Sequence, residues 1–350
     1  LDYSTGSEAF LLEPQSTNLI TESESFDNSS WTKNNSTVTS GFTSPDGTTN
    51  AFKLIEDTSV GEHSISASPL VGVSDLSTSI FVKYAGSEYI VLRSNSSGGA
   101  YLNCTFNLLT GVNTFNGFLF GFEITSMPNG WYRISGTNRS SASAFRVNSF
   151  ILSPTDVTSN STPSHTGDGT SGVYIFGAQL EQQSYATSYI PTSGASATRN
   201  QELCNNATPV INSEEGTLYA EISALANDTV SKTISLSDGS FNNKIELFYF
   251  GGNSIYTNVF VGGVSQGFLS TSIDITNYIK VAYSYKLNNT ALWVNGVKVA
   301  TDNSVNMPIG LSELNFSNGT GSNSFFGNTK DLKVYPKALA DVQLQDLTTI

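Results

Sequence analysis

The sequence has 350 residues, of which 38% are hydrophobic and 13% are charged, so it can fill two packed interiors while relying on Ser, Thr, Asn and Gly for a polar surface. Its formal net charge is −13 and its few Lys and Arg residues form no cluster, which excludes nucleic acid and anionic membrane surfaces as partners. No stretch approaches the roughly 20 apolar residues of a membrane span, so membrane insertion is not expected.

The first part of the chain predicts short strands. Residues 1–16 form an irregular N-terminal segment in this prediction. From Thr17 onward, turn signals such as Pro45-Asp46-Gly47 alternate with apolar runs of period two, and no run before residue 200 has helical periodicity. The pattern predicts strands over 79–84, 89–93 and 173–180, and another strand with Phe118, Phe120 and Phe122 on one face.

A change in composition separates two domains. Residues 183–216 are rich in Ser, Thr, Ala, Asn and Pro, which is typical of a connector, and we place the boundary near Arg199 with a linker over 200–216. The second domain repeats the strand pattern over 217–222, 244–250, 256–261, 278–285 and 291–294. Asn295-Gly296 predicts a two-residue hairpin turn, and residues 338–347 predict a short terminal helix. The sequence therefore predicts an all-β protein of two tandem antiparallel β-sandwiches.

Three stretches of the first half resemble a domain of bacteriophage virion and tail-fibre proteins. These are residues 11–20 (LLEPQSTNLI) with the following Ser30-Trp31-Thr32-Lys33, residues 166–181 (TGDGTSGVYIFGAQLE), and residues 184–192 (SYATSYIPT). The resemblance covers about residues 11–200. It implies a jelly roll similar to a carbohydrate-binding module over 17–199, in a protein on the surface of a virion.

The second half resembles a laminin-G-like or concanavalin A-like sandwich over 217–350. The resemblance is carried by Ala291-Leu292-Trp293-Val294-Asn295-Gly296-Val297, by Phe326-Gly327-Asn328, and by residues 338–344 (ALADVQL). Together the two resemblances imply a virion appendage that contacts a host-surface polysaccharide or other virion proteins. Such appendages are usually trimeric, so a homotrimer is one arrangement that the resemblance allows, although the sequence has no heptad pattern.

The sequence lacks the motifs of common enzyme classes. His63 and His165 lie in unlike contexts without triad or zinc spacing, and we expect both to be structural or solvated. The Glu-x-Asp-x-x-Glu spacing of concanavalin-like glycoside hydrolases does not occur, since Glu246 has no partner two residues on. We therefore expect a protein that is not an enzyme and has no organic cofactor, although carboxylates from distant strands could still converge.

A structural calcium ion is an open alternative, because jelly rolls of the binding-module kind often hold one. The closing strand reads Ile175-Phe176-Gly177-Ala178 where those modules usually carry an Asp pair. Asp168 in its Gly-rich loop is the candidate ligand, and a turn-stabilising role is the favoured interpretation for it.

Sugar binding needs aromatic faces flanked by hydrogen-bond donors. The candidate surface is one face of the first sandwich and consists of Tyr89, Arg93, Tyr101, Trp131 and Arg133. Tyr89 and Arg93 share strand parity, as do Trp131 and Arg133. An aromatic residue between apolar neighbours is more often part of a core, so a structural role stays open for Trp131.

The function favoured by these observations is adhesion, with recognition of a host-surface glycan. One alternative is a purely structural virion protein whose aromatic residues make protein–protein contacts. Another is a pair of accessory modules from a secreted polysaccharide-degrading enzyme.

Overall fold

The computed structural model describes residues 9–71, 74–95, 101–117, 120–140, 144–145, 148–205 and 207–350. The chain divides into two compact units, and each is described by itself. The first unit is Gln15–Asn200, and the second unit combines Gln201–Ile350 with the N-terminal segment that ends at Pro14.

Strand β1 (Phe10–Leu12) belongs to the second unit. The first unit contains short antiparallel strands: β2 (Ser16–Asn18), β3 (Thr32–Asn34), β4 (Ser36–Phe42), β5 (Ala51–Glu56), β6 (Val60–Gly61), β7 (His63–Ala67), β8 (Leu70–Val71), β9 (Ser74–Tyr84), β10 (Tyr89–Asn95), β11 (Tyr101–Asn107), β12 (Val112–Asn116), β13 (Phe120–Met127), β14 (Trp131–Ser140), β15 (Ala144–Phe145), β16 (Asn148–Ser153), β17 (His165–Thr166), β18 (Gly172–Glu181) and β19 (Ala197–Arg199). One 3-10 turn, Pro128–Gly130, precedes β14.

The first unit is a β-sandwich of two six-stranded sheets. One sheet has the order β12-β11-β10-β16-β7-β3 and the other has the order β13-β14-β9-β18-β5-β4. Alternate side chains of both sheets meet in one core, for example Leu92 and Phe150 from the first sheet with Ile80, Ile134 and Ile175 from the second. This alternation is the reason for the fold, because each strand buries one face and leaves the other for a second layer.

The second unit is also a sandwich. Its remaining elements are β20 (Glu215–Ala224), β21 (Lys232–Ser237), β22 (Lys244–Tyr249), β23 (Ser254–Val261), β24 (Val264–Ser272), β25 (Ile279–Lys286), β26 (Thr290–Val294), β27 (Val297–Asp302), β28 (Glu313–Asn315), β29 (Gly327–Tyr335) and helix α1 (Asp341–Thr348). A six-stranded sheet, β1-β29-β20-β25-β26-β27, faces a five-stranded sheet, β24-β23-β22-β21-β28. Leu218, Val281 and Leu292 of one sheet share a core with Leu236 and Leu247 of the other.

The predicted fold class is confirmed, because the chain forms two antiparallel sandwiches with one short helix among the described residues. The predicted hairpin is present: β26 pairs with β27, and Asn295 and Gly296 have φ of 50° and 80°. Helix α1 overlaps the predicted terminal region, starting three residues later and ending one residue later than expected. No helix among the described residues is long and apolar enough to cross a membrane.

The prediction of an irregular N-terminal segment over 1–16 is wrong for its second half. Phe10 to Leu12 pair with Thr329 to Gly327 of β29, and Leu12 is only 2% exposed in the core of the second unit. The predicted linker also packs on this unit, since the Glu202 carboxylate accepts a hydrogen bond from the Glu13 amide. Pairing between residues more than 300 positions apart leaves no local signal in the sequence.

The placement of three phenylalanines on one strand face is only partly testable. Phe118 lies outside the described residues, as does the side chain of Phe120. Phe122 is 46% exposed and lies within a register shift of β13 between Phe120 and Glu123.

Candidate functional site

The five predicted glycan-binding residues do not form one surface. Tyr89 and Arg93 lie on β10, whereas Trp131 and Arg133 lie on β14, and these strands belong to opposite sheets of the first unit. Strand parity correctly placed each pair on a single outer face, but it carries no information about which sheet a strand joins. Tyr101 begins β11, and its side chain is outside the described residues.

Trp131 is part of a core, which corrects its assignment as a sugar platform. It is 1% exposed and packs with Ala51, Phe81 and Phe176 on the outer side of its sheet. The Tyr189 ring covers this cluster, with its centroid 5.8 Å from that of Phe81 and 5.7 Å from that of Phe176. The segment that precedes the predicted boundary therefore closes this face.

The two arginines hold covering segments in place. Arg93 is 3% exposed; it donates to the Glu62 carboxylate at 2.7 Å, to Asn103 Oδ1 at 2.9 Å and to the Ser161 carbonyl at 3.1 Å. Arg133 donates to the Thr187 carbonyl at 2.6 Å. The buried guanidinium of Arg93 and the half-buried one of Arg133, which also donates to the Ser79 hydroxyl at 2.9 Å, are both engaged in bonds that hold the structure.

Tyr89 is half-buried at the start of β10. It pairs in register with Ser153, where the loop between β16 and β17 begins. Its binding role stays a prediction.

The Asp168 carboxylate stabilises the turn in which it lies. Its carboxylate accepts hydrogen bonds from the amides of Thr170 and Ser171, both at 2.6 Å, and from their hydroxyls at 2.9 and 2.7 Å. These bonds, those from Ser171 first, lower the pKa of Asp168. Hydrogen-bond donors surround this carboxylate, whereas a calcium ion needs further oxygen ligands, so the surroundings of Asp168 do not fit a calcium site. The described part of the chain holds no cluster of three His, Cys, Asp or Glu suited to a metal.

The two histidines, which the sequence places in unlike contexts, meet in the structure. Their ring centroids are 4.5 Å apart. His63 is fully buried, with Nδ1 2.7 Å from the Asn35 carbonyl, and His165 Nε2 lies 2.8 Å from the Glu56 carboxylate. Their partners come from neighbouring loops and strand ends, which is consistent with the expected structural role.

A different surface, in the second unit, combines aromatic and polar side chains. It lies on the outer side of the five-stranded sheet and is defined by Phe241, Phe248, Tyr256, Phe260 and Phe268; we call it the aromatic face. Ile245, Leu247, Ile255 and Val259, which alternate with these residues along β22 and β23, point into the core. The Phe248 and Tyr256 rings are stacked, with centroids 5.3 Å apart and an interplanar angle of 16°.

The strand register arranges the aromatic face in rows. Glu246 pairs with Asn258, and Asn258 pairs with Phe268, so a carboxylate, an amide and a ring cross three adjacent strands. Phe268 is 62% exposed, whereas Asn258 is 2% exposed beneath it. The surface therefore has a polar floor and aromatic walls, the usual composition of sites that recognise small polar ligands.

An ion pair lies in the floor of the aromatic face. Lys244 is fully buried and donates to the Glu246 carboxylate. Its ammonium also lies 3.6 Å from the centre of the Phe241 ring and 4.5 Å from that of Phe260. Burial lowers the pKa of Lys244 and raises that of Glu246. As a paired cation and anion, the two side chains add little net charge to the floor.

The sequence carried a signal for this surface that our prediction did not use. Lys244, Glu246 and Phe248 alternate with Ile245 and Leu247, which places polar and aromatic side chains together on the solvent side of a strand that was predicted correctly. The Asn258 to Phe268 pairing, by contrast, depends on the register between strands and is visible only in the structure.

Known proteins show little similarity to this chain. No protein-family model and no curated protein matches the chain. Among solved structures, the Ruminococcus gnavus IT-sialidase CBM40 is 17% identical, with a TM-score of 0.35 over 39% of this chain and 84% of that one. A SAP-like pentraxin from Limulus polyphemus is 16% identical, with a TM-score of 0.34 over 40% of this chain and 72% of that one. Mouse laminin alpha1 chain domains LG4-5 are 10% identical, with a TM-score of 0.28 over 95% of both chains. These values are too low to support an argument, and the fold described above rests on the chain's own strands and cores.

Proposed function

We propose that this protein binds uncharged glycans through the aromatic face of the second unit, without catalysis. The observation that carries the proposal is the row of Glu246, Asn258 and Phe268, in which an exposed ring lies beside buried polar groups. An exposed aromatic ring stacks on the C–H face of a pyranose, while the buried and already bonded Glu246 and Asn258 side chains hold the strands that present the ring.

Charge supports an uncharged ligand. The chain carries a net charge of −13, and Lys244, the cation of this surface, is already paired with Glu246. An anionic sugar would therefore meet repulsion without a free cation to offset it.

Engagement of Glu246 by Lys244 also favours binding over hydrolysis, which needs one free carboxylate and a second one at a suitable distance. Incubation with polysaccharides followed by measurement of new reducing ends tests this part. Release of oligosaccharide would overturn the non-enzymatic assignment.

The biological setting that we propose is a bacteriophage virion surface, where the protein adheres to host polysaccharide. This setting rests on the resemblance of residues 11–200 to domains of virion and tail-fibre proteins. A homotrimer is part of the same proposal, and sedimentation of the purified chain tests it.

An array of bacterial polysaccharides probed with the full chain tests the binding proposal. We expect binding to at least one uncharged glycan, and we expect the Tyr256→Ala and Phe268→Ala variants to bind about tenfold more weakly. Phe122→Ala is the matched control, since it removes an exposed ring from the first unit. Absence of binding across the array, or binding that both face variants retain in full, would contradict the proposal.

One observation favours protein–protein contact as a second candidate function. Phe241 and Phe268 of the aromatic face are 44% and 62% exposed, and exposed apolar side chains on one surface are typical of interfaces. If this candidate is correct, Phe268→Ala lowers self-association or attachment to virion proteins, and the glycan array stays empty.

A further inference from the structure

A cavity lies in the first unit. The loop between β16 and β17 lines an open cavity of about 290 Å³, which we call the loop pocket. Ligand pockets for drug-sized molecules range over roughly 300–1,000 Å³. The loop pocket is therefore suited to a single sugar residue and too small for a chain of several.

Buried side chains of the sheet below hold the loop in one conformation. Asn103, which is fully buried, donates to the carbonyls of Ser159 at 2.9 Å and Ser161 at 2.8 Å. Thr105, also fully buried, donates to the Val157 carbonyl at 2.7 Å. Arg93 adds its bond to Ser161, so the residue that was predicted to contact a ligand instead helps to shape this pocket.

Preorganisation of this kind lowers the entropic cost of binding, because the loop does not have to become ordered around its ligand. The side chains of Asn103 and Thr105 bond the loop's carbonyl groups, and residues with hydroxyl groups line the cavity. Binding residues are often carried by loops that a rigid scaffold holds in place, as the sheet holds this one.

The lining of the loop pocket is rich in hydroxyl groups. It includes Asp156, Thr158, Ser159, Ser161, Ser164 and His165. Pro154 and Pro163 add small apolar surfaces. Asp156 is held by the Thr114 hydroxyl at 2.6 Å and brings one carboxylate, and neither Lys nor Arg is part of the described lining. This chemistry matches a neutral polyol and disfavours an anion.

We infer that the loop pocket is a second binding site, which takes one neutral pyranose residue and is independent of the aromatic face. The inference does not depend on the proposed function, because it rests on other residues in another unit. Two sites in one chain would allow simultaneous attachment to a single surface polysaccharide, which raises avidity without new contacts.

Ligand-observed NMR on the full chain tests the inference, with glucose, galactose, mannose and N-acetylglucosamine as neutral probes and glucuronate as the anionic probe. Every sample also carries Tyr256→Ala and Phe268→Ala, so that the aromatic face does not contribute to binding. We expect at least one neutral sugar to bind at millimolar concentration, and glucuronate to bind about tenfold more weakly.

Thr158→Trp is the decisive variant, since this exposed lining residue gains a side chain that fills the cavity. We expect it to weaken binding by at least about tenfold. Thr39→Trp is the matched control on exposed strand β4 of the opposite sheet. No binding of any neutral sugar, or equal binding by Thr158→Trp and the control, would overturn the inference. If sugar binding persists with Tyr256→Ala and Phe268→Ala and is lost when Thr158→Trp is added, the inference is supported, even if the aromatic face binds no glycan.

Discussion

A buried ion pair limits which substitutions the aromatic face tolerates. Lys244 and Glu246 are 0% and 8% exposed and neutralise one another. Removing one partner leaves the other buried without compensation, whereas replacing both by apolar residues removes the desolvation cost as well.

We therefore expect Glu246→Leu to lower the free energy of unfolding by about 3–5 kcal/mol. The double change Lys244→Met with Glu246→Leu is expected to stay within about 1 kcal/mol of the parent protein. Urea titration of the single and double variants measures the difference. If the cost of the double change equalled the sum of the costs of Lys244→Met and Glu246→Leu made singly, the ion-pair assignment would be contradicted.

The two thiols differ in burial and reactivity. Cys104 is fully buried and burial raises its pKa to about 12, whereas Cys204 is half-buried with a smaller rise in its pKa. Because the thiolate is the reactive form, we expect a disulfide reagent at pH 8 to label Cys204 first and Cys104 only after unfolding. Cys204→Ser should abolish the native labelling. Equal rates for both thiols in the folded protein would show that Cys104 is accessible.

At the scale of elements, alternation along strands predicted most of the fold. Strands β9, β10, β18, β22 and β25 were expected within about five residues of their observed bounds, because each is an apolar run bounded by turn residues. Assignment of strands to sheets was not predictable, since it depends on pairing between distant residues. For that reason Tyr89 and Trp131 were expected on one surface and lie on opposite sheets.

The hairpin of β26 and β27 offers a direct test of turn chemistry. Gly296 has a φ of 80°, and a Cβ at this position would lie 3.1 Å from Thr349 Oγ1. Gly296→Val should therefore lower the free energy of unfolding by more than about 1 kcal/mol. Asn295→Gly is the control, because glycine adopts the positive φ of that position without strain. Equal stability of the two variants would argue against this turn.

At the scale of the whole molecule, the N-terminal strand links the start of the chain to the second unit. Leu12→Ala removes a buried side chain from the core formed mainly by residues beyond Gln201. We expect it to destabilise the second unit by about 2–5 kcal/mol and to leave the first unit unchanged. Phe150→Ala is the matched control in the first core. Hydrogen exchange resolves the two units, and faster exchange in the first unit of Leu12→Ala would contradict the assignment.

Covering segments lie on both outer faces of the first unit. Tyr189 covers the cluster of Phe81, Trp131 and Phe176 on one sheet, and the loop between β16 and β17 is bonded to Asn103 and Thr105 of the other. This distribution explains why a search for aromatic platforms by sequence spacing selected Trp131 and Arg133, which lie under a covering segment. Covering segments come from loops whose positions depend on tertiary contacts.

The most direct test of the central claim is NMR mapping of the isotope-labelled full chain with neutral hexasaccharides of glucose and N-acetylglucosamine. We predict shifts in amide resonances of β22, β23 and β24, centred on Glu246, Asn258 and Phe268. Loss of these shifts in Phe268→Ala, with the spectrum otherwise intact, would locate the contact at the ring. Ligand-dependent shifts confined to other strands, with β22 to β24 unchanged, would contradict the claim that this surface binds glycans.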